Sequence, residues 1–150
     1  MVGTMQTLRQ LVAGTDFSAC AQQAIEMAVR LASSGATPIP IALVHVCELD
    51  EDELDERRLL RCGDALAEVA ARLRREGVLV TGVLRSGRPW EKLDNVAAEV
   101  GARLIVVGRH GGGRGSNVEI GSVAERLVRS AGRAVLTVPC DFVRIGVEAH

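Results

Sequence analysis

Apolar residues fall along this chain in two alternating kinds of run. The short, nearly unbroken runs are Leu8 to Gly14, Pro38 to Cys47, Val78 to Leu84, Arg103 to Val107 and Ala134 to Val138. In the second of these, Ile41, Leu43, Val44 and Val46 are apolar at both alternating positions, which fits a strand covered on both faces of a parallel sheet. Between the short runs, apolar residues recur with a helical period. They are Ala21, Ala24, Ile25, Ala28 and Leu31, then Leu66, Val69, Ala70 and Leu73, then Leu93, Val96, Ala97 and Val100. A last helix, beginning near Ser122, is expected to bury Val123, Leu127, Val128 and Ala131.

The punctuation agrees with that division. Ser18 can cap the first helix, Ser33-Ser34-Gly35 stops it, and Gly77 ends the second. Pro89 falls in the first turn of the third helix, where its missing N–H is harmless, and Pro139 stops the last strand. Strand and helix therefore alternate from end to end. Parallel strands joined by right-handed crossovers follow. The expected fold is α/β, a doubly wound, five-stranded parallel sheet in the order 3-2-1-4-5 with helices on both faces. Ligands bind such sheets at the carboxyl ends of the strands, where the winding reverses. Here that point lies between strands one and four, at Gly14-Thr15-Asp16 and at Gly108.

Chemistry concentrates at the second of these ends. Leu104-Ile105-Val106-Val107 runs into Gly108, a glycine-rich loop and Ser122, followed by the last helix. Glycines let an anion approach the main chain, and a helix start offers unpaired N–H groups and the positive end of the peptide dipoles. The pattern points to a nucleotide site. It is not a Walker A loop, because the only lysine is Lys92, and no G-x-G-x-x-G follows an expected strand. Ser122 and Glu125 also read as an S-x-x-E capping box, which is compatible with phosphate contact.

Composition narrows the classes. The chain has 150 residues, a formal charge of −1 and 2% aromatics, which argues against a basic or base-stacking nucleic-acid surface. No apolar run reaches the ~18 residues of a membrane span, and MVGTMQTLRQ lacks the regions of a secretion signal. A single domain is expected, with a core at about residues 7–139 and a tail at 140–150, in the cytoplasm. Cys20, Cys47, Cys62 and Cys140 form no C-x-x-C pair and are expected as free buried thiols. His45 and Cys47 share a strand face, but no third metal ligand lies nearby in sequence, so no metal site is expected. The acids from Glu48 to Glu56 read as a solvated loop and helix start.

Gly108, two residues, Gly111, nine residues and then Gly121-Ser122 resembles the signature of the universal stress protein family, in its ATP-binding branch. The resemblance covers essentially the whole chain, from LRQLVAGTDFS through ALVHV and SGRPWEKL to AVLTVP. It implies a Rossmann-like sheet of the adenine nucleotide alpha hydrolase-like kind. It also implies that Asp16 contacts the nucleoside, that Val46 meets adenine through its main chain, and that Gly108, Gly111, Gly121 and Ser122 hold ribose and phosphates. Gly14 and Thr15 flank Asp16, and Thr15 can bond a phosphate or a magnesium-bound water; Arg114 can reach phosphate, and His110 is a candidate base. The family also pairs through its last strand, here Val135 to Val138, which implies a homodimer with the tail from Asp141 to Gly146 across the partner. Two features depart from its usual pattern: Arg103 stands where many members have an aspartate, and Gly112, Gly113 and Gly115 are extra glycines.

Phosphoryl transfer wants a metal-binding carboxylate, a cation on the γ-phosphate and a positioned base or nucleophile. Asp16 alone does not supply that set. The reading is an ATP-binding module, with Mg²⁺ as a candidate companion ion, little or slow hydrolysis, and the nucleotide acting as a conformational ligand. A weak ATPase or nucleotide-processing enzyme is the alternative, followed by a nucleotide-free dimeric interaction protein. Neither nucleic acid nor membrane is an expected partner.

Overall fold

The computed structural model describes residues 10–48, 56–110 and 121–141. Five strands alternate with four helices: β1 (Leu11–Gly14), α1 (Ala19–Ser33), β2 (Ile41–Cys47), α2 (Glu56–Arg75), β3 (Val80–Ser86), α3 (Pro89–Val100), β4 (Leu104–Gly108), α4 (Ser122–Ser130) and β5 (Ala134–Val138). The strands form one sheet in the order β3-β2-β1-β4-β5. All neighbours are parallel, and Leu11 of β1 pairs with Ile41 on one side and Leu104 on the other.

Alternation along each strand divides the core in two. Leu11, Ala13, Ile41, Leu43 and Val106 pack on one face with Ala24, Ile25 and Ala28 of α1 and Leu66, Ala70 and Leu73 of α2. Val12, Ala42, Val44, Ile105 and Val107 face the other way, onto Leu93, Val96 and Ala97 of α3 and Ala124 and Leu127 of α4. The central strands β1, β2 and β4 are almost wholly buried on both faces, which is why they carry no polar alternation, whereas the edge strand β3 exposes Thr81 and Ser86. Leu43 is fully buried on the first face, so truncation to alanine there should cost about 2–5 kcal/mol.

Strand limits differ from the sequence expectation for reasons of hydrogen bonding. Pro38 and Pro40 have no N–H to donate, so the β2 ladder begins at Ile41, whose N–H reaches the Leu79 carbonyl at 2.8 Å. The Val78 N–H is spent closing the end of α2 on the Leu73 carbonyl at 3.0 Å, with Gly77 at φ 87° supplying the left-handed turn. Strand β3 therefore starts later, at Val80. Leu8, at the expected start of the first strand, and the acids from Asp50 to Asp55 lie outside the described residues.

The buried stripe of α4 also differs. Ala124 and Leu127 are its buried residues, and Val128 is 59% exposed. This nine-residue helix meets the core through residues three apart, which turns Val128 away from it. Helix α1 behaves as expected: Ser18 is its N-cap, and the Ser18 hydroxyl accepts the Ala21 N–H at 3.1 Å. No helix among the described residues is long and apolar enough to cross a membrane.

Candidate functional site at the carboxyl ends of the central strands

Strands β1 and β4 are neighbours, yet their following helices cover opposite faces of the sheet, so a crevice opens between their carboxyl ends. A cavity of about 560 Å³ occupies it. Gly14, Thr15, Asp16, Val46, Gly108, Gly121 and Ser122 all line this cavity, joined by His45, Cys47, Arg58 and His110. Gly111 and Arg114 lie outside the described residues.

The first rim is a tightly bonded turn. The Thr15 N–H reaches the Val44 carbonyl at 2.8 Å, carrying the β1–β2 pairing one step beyond Gly14. Thr15 Oγ1 accepts the Phe17 N–H at 3.0 Å, and Asp16 Oδ1 accepts the Ser18 N–H at 2.9 Å. These side chains hold the turn as well as lining the cavity. Phe17 adopts φ 66°, a left-handed conformation that bulky residues rarely take and that costs of order 1–3 kcal/mol. Its ring lies 4.4 Å from that of His45, while His45 Nδ1 sits 2.7 Å from the Thr15 carbonyl oxygen. The ring contact and that bond fasten the turn to β2.

The second rim is the start of α4. The Arg109 N–H bonds the Val138 carbonyl at 2.8 Å, and the Arg109 carbonyl accepts the Gly121 N–H at 2.7 Å. Gly121 is the N-cap, at φ −62° and ψ 156°, and it has no side chain with which to cap. Ser122 is the first helical residue rather than the cap, so the expected capping box does not form. Glu125 instead pairs with Arg129 one turn on, at 3.0 Å. The Ser122 hydroxyl and the positive end of the helix are thereby left to the cavity.

Close packing accounts for two of the glycines. A Cβ on Gly108 would lie 3.0 Å from the carbonyl carbon and oxygen of Cys20, which are main-chain atoms of α1. A Cβ on Gly14 would lie 3.0 Å from Leu93 Cδ2 and 3.1 Å from Val107 Cγ1. Both glycines line the cavity; at Gly108 the close neighbours are main-chain atoms of α1, whereas at Gly14 they are side chains.

The cysteines depart from expectation. Cys20 at the start of α1 and Cys140 just beyond β5 are joined in a disulfide, while Cys47 and Cys62 are free. A partner 120 residues away leaves no local sequence signal; it is the parallel topology that brings the α1 start and the β5 end to the same, carboxyl end of the sheet. The His110 N–H also reaches Cys20 Sγ at 3.4 Å. On the opposite side of the cavity, burial and the hydrogen bond with Cys62 raise the Cys47 thiol to about 11. Cys62 comes from α2, and its approach to His45 and Cys47 was invisible to spacing along the chain.

Comparison with known proteins places this architecture. A universal stress protein from Burkholderia pseudomallei is 28% identical, over 88% of this chain and 96% of its own, with a TM-score of 0.64. A universal stress protein crystallised in complex with cAMP is 24% identical, over 87% and 96% of the two chains, with a TM-score of 0.68. One from Archaeoglobus fulgidus in complex with dAMP is 22% identical, over 89% and 99%, with a TM-score of 0.66. No match was found among curated proteins. The universal stress protein family matches residues 7–139, nearly the full length, and this chain belongs to it.

Proposed function

We propose that the chain is an ATP-binding module that responds to nucleotide by changing conformation and hydrolyses it slowly or not at all. The observation that carries this is the open start of α4 at the cavity, with Gly121 as an uncapping N-cap and Ser122 beside it. A helix start of this kind favours phosphate, through its N–H groups and its dipole. The 560 Å³ cavity falls within the range of ligand pockets, roughly 300–1,000 Å³. In this reading Gly108, Gly111, Gly121 and Ser122 hold ribose and phosphates, Arg114 supports them, Asp16 contacts the nucleoside, and the Val46 main chain meets adenine. Gly14 keeps the turn close to the sheet, and Thr15 bonds phosphate or a magnesium-bound water. The cAMP and dAMP complexes of the two similar proteins support an adenine nucleotide here.

Binding rather than turnover is favoured because the only lysine, Lys92, lies on α3 and not in the glycine loop. The module works as a homodimer in the cytoplasm. Dimerisation uses the outer edge of β5, Val135 to Val138, which among the described residues pairs with β4 alone. In a reducing compartment the Cys20–Cys140 link is a reversible one.

Calorimetric titration of nucleotide-stripped protein with ATP·Mg²⁺, on wild type and Gly121→Val side by side, tests the reading. Micromolar-range binding to wild type alone is expected. Equal binding to both would displace the site from the α4 start, and binding to neither would return the protein to the nucleotide-free class.

A further inference from the structure

One wall of the cleft carries a side-chain cluster that nucleotide binding does not use. His45 and Cys47 stand two residues apart on β2 and so share one face of the strand. Helix α2 brings Cys62 against that face. One ring nitrogen of His45 and the sulfurs of Cys47 and Cys62 all lie within 4.8 Å of one another. We propose that His45, Cys47 and Cys62 form a binding site for a thiophilic metal ion, Zn²⁺ or Cu⁺.

The donor set selects the ion. Two sulfurs and an imidazole suit zinc or copper(I), whereas magnesium and calcium take oxygen ligands. Bonds of about 2.3 Å to sulfur and about 2.0 Å to nitrogen place tetrahedral ligands roughly 3.5–3.8 Å apart. The cluster therefore needs to close by at most about 1.3 Å to hold an ion. Side-chain torsions of the two cysteines can supply that without moving β2 or α2. Two thiolates neutralise a zinc dication, so the ion carries no uncompensated charge into this half-buried place.

His45 is oriented for the task. Its Nδ1 lies 2.7 Å from the Thr15 carbonyl oxygen, which accepts a hydrogen bond from Nδ1–H and so leaves the lone pair on Nε2. A backbone carbonyl holding the second ring nitrogen is the usual support of a metal-bound histidine. The Thr15 carbonyl belongs to the turn that presents Asp16 to the cleft, so an ion on His45 would stiffen that turn. Three protein ligands leave a fourth position for water or another small ligand, as in open zinc sites.

Cobalt(II) titration of the metal-stripped protein under anaerobic conditions tests this, because thiolate ligation produces a sulfur-to-metal charge-transfer absorption. A Cys20→Ser/Cys140→Ser background removes the other two thiols. Should that background fail to fold, the disulfide-bonded wild type, with Cys47 and Cys62 verified as thiols by intact mass, serves instead. The expected result is one equivalent of cobalt, displaced by zinc, with the band lost in Cys62→Ser. Affinity should fall at least about tenfold in His45→Gln, the smallest loss seen when even an outer support of a metal ligand is removed. Copper(I) competition against a chromogenic chelator separates the two ions, and Cys62-dependent capture of either supports the site. No Cys62-dependent binding of cobalt, zinc or copper(I) overturns it. Cys62 does not line the cavity, so ATP titration of metal-stripped Cys62→Ser should match metal-stripped wild type. That result keeps the metal site and the nucleotide reading separately testable.

Discussion

The carbonyl oxygen of Arg109 accepts the N–H of Gly121 at 2.7 Å, so the glycine-rich segment leaves and returns to the sheet at a single point. Arg109 is itself bonded to Val138 of β5, which ties Gly121 through Arg109 to the sheet. The start of α4 is thereby fixed relative to β4 and β5, and the cavity keeps one rigid rim. A bound phosphate would meet a preformed helix start rather than having to build one.

Ser122 follows Gly121 as the first helical residue and not as the cap. Ser122→Ala should therefore change stability by less than about 0.5 kcal/mol, whereas a lost cap would cost about 0.5–2 kcal/mol. Its effect should fall on ATP affinity. Urea unfolding and ATP titration of the same variant check both halves. A loss of more than about 1 kcal/mol on unfolding, near the middle of the capping range, would restore Ser122 to a capping role.

Gly108 is held to glycine by the main chain of Cys20. A Cβ at 3.0 Å from two backbone atoms forces β4 and α1 apart, since neither atom can rotate away. Gly108→Ala should cost about 1–3 kcal/mol, the usual range for overpacking. Thermal or urea unfolding reads it, and a neutral outcome would mean that α1 shifts freely.

The Cys20–Cys140 bond closes a loop with a sequence separation of 120. Removing such a constraint from the unfolded chain typically costs about 2–4 kcal/mol. Cys140→Ser should be less stable than wild type by that amount under oxidising conditions and indistinguishable from it under a strong reductant. Urea unfolding in both conditions measures the difference, and intact mass establishes the bond.

Cys47 gives a pH dependence to the metal-free protein. Its thiol is raised from 9.0 to about 11 in the folded state, chiefly by burial and then by the hydrogen bond that the Cys47 thiol makes to Cys62. A raised pKa means that the fold favours the neutral thiol. The contribution is complete below about pH 9 and is lost as pH rises through about 11. Stability should therefore fall across that window, and Cys47→Ala should flatten the fall. Equal slopes in both proteins would assign the loss to other groups.

The order of elements, the two-sided burial of the central strands and the crevice at Gly14 and Gly108 follow from local pattern. Strand and helix periods differ, and a chain alternating between them has few ways to cover both faces of a parallel sheet. The seven described residues expected at the cleft do line it, because both of its rims are strand ends whose positions the topology dictates. Tertiary structure decided what depends on contact between distant segments. Ser122 falls inside the helix because the chain turns at Gly121, and Val128 faces outward because α4 meets the core through Ala124 and Leu127. Cys20 meets Cys140, and Cys62 meets His45 and Cys47, only once strands and helices are stacked. Periodicity reports which face of an element is buried; which side chain on another element it meets is fixed by packing in three dimensions.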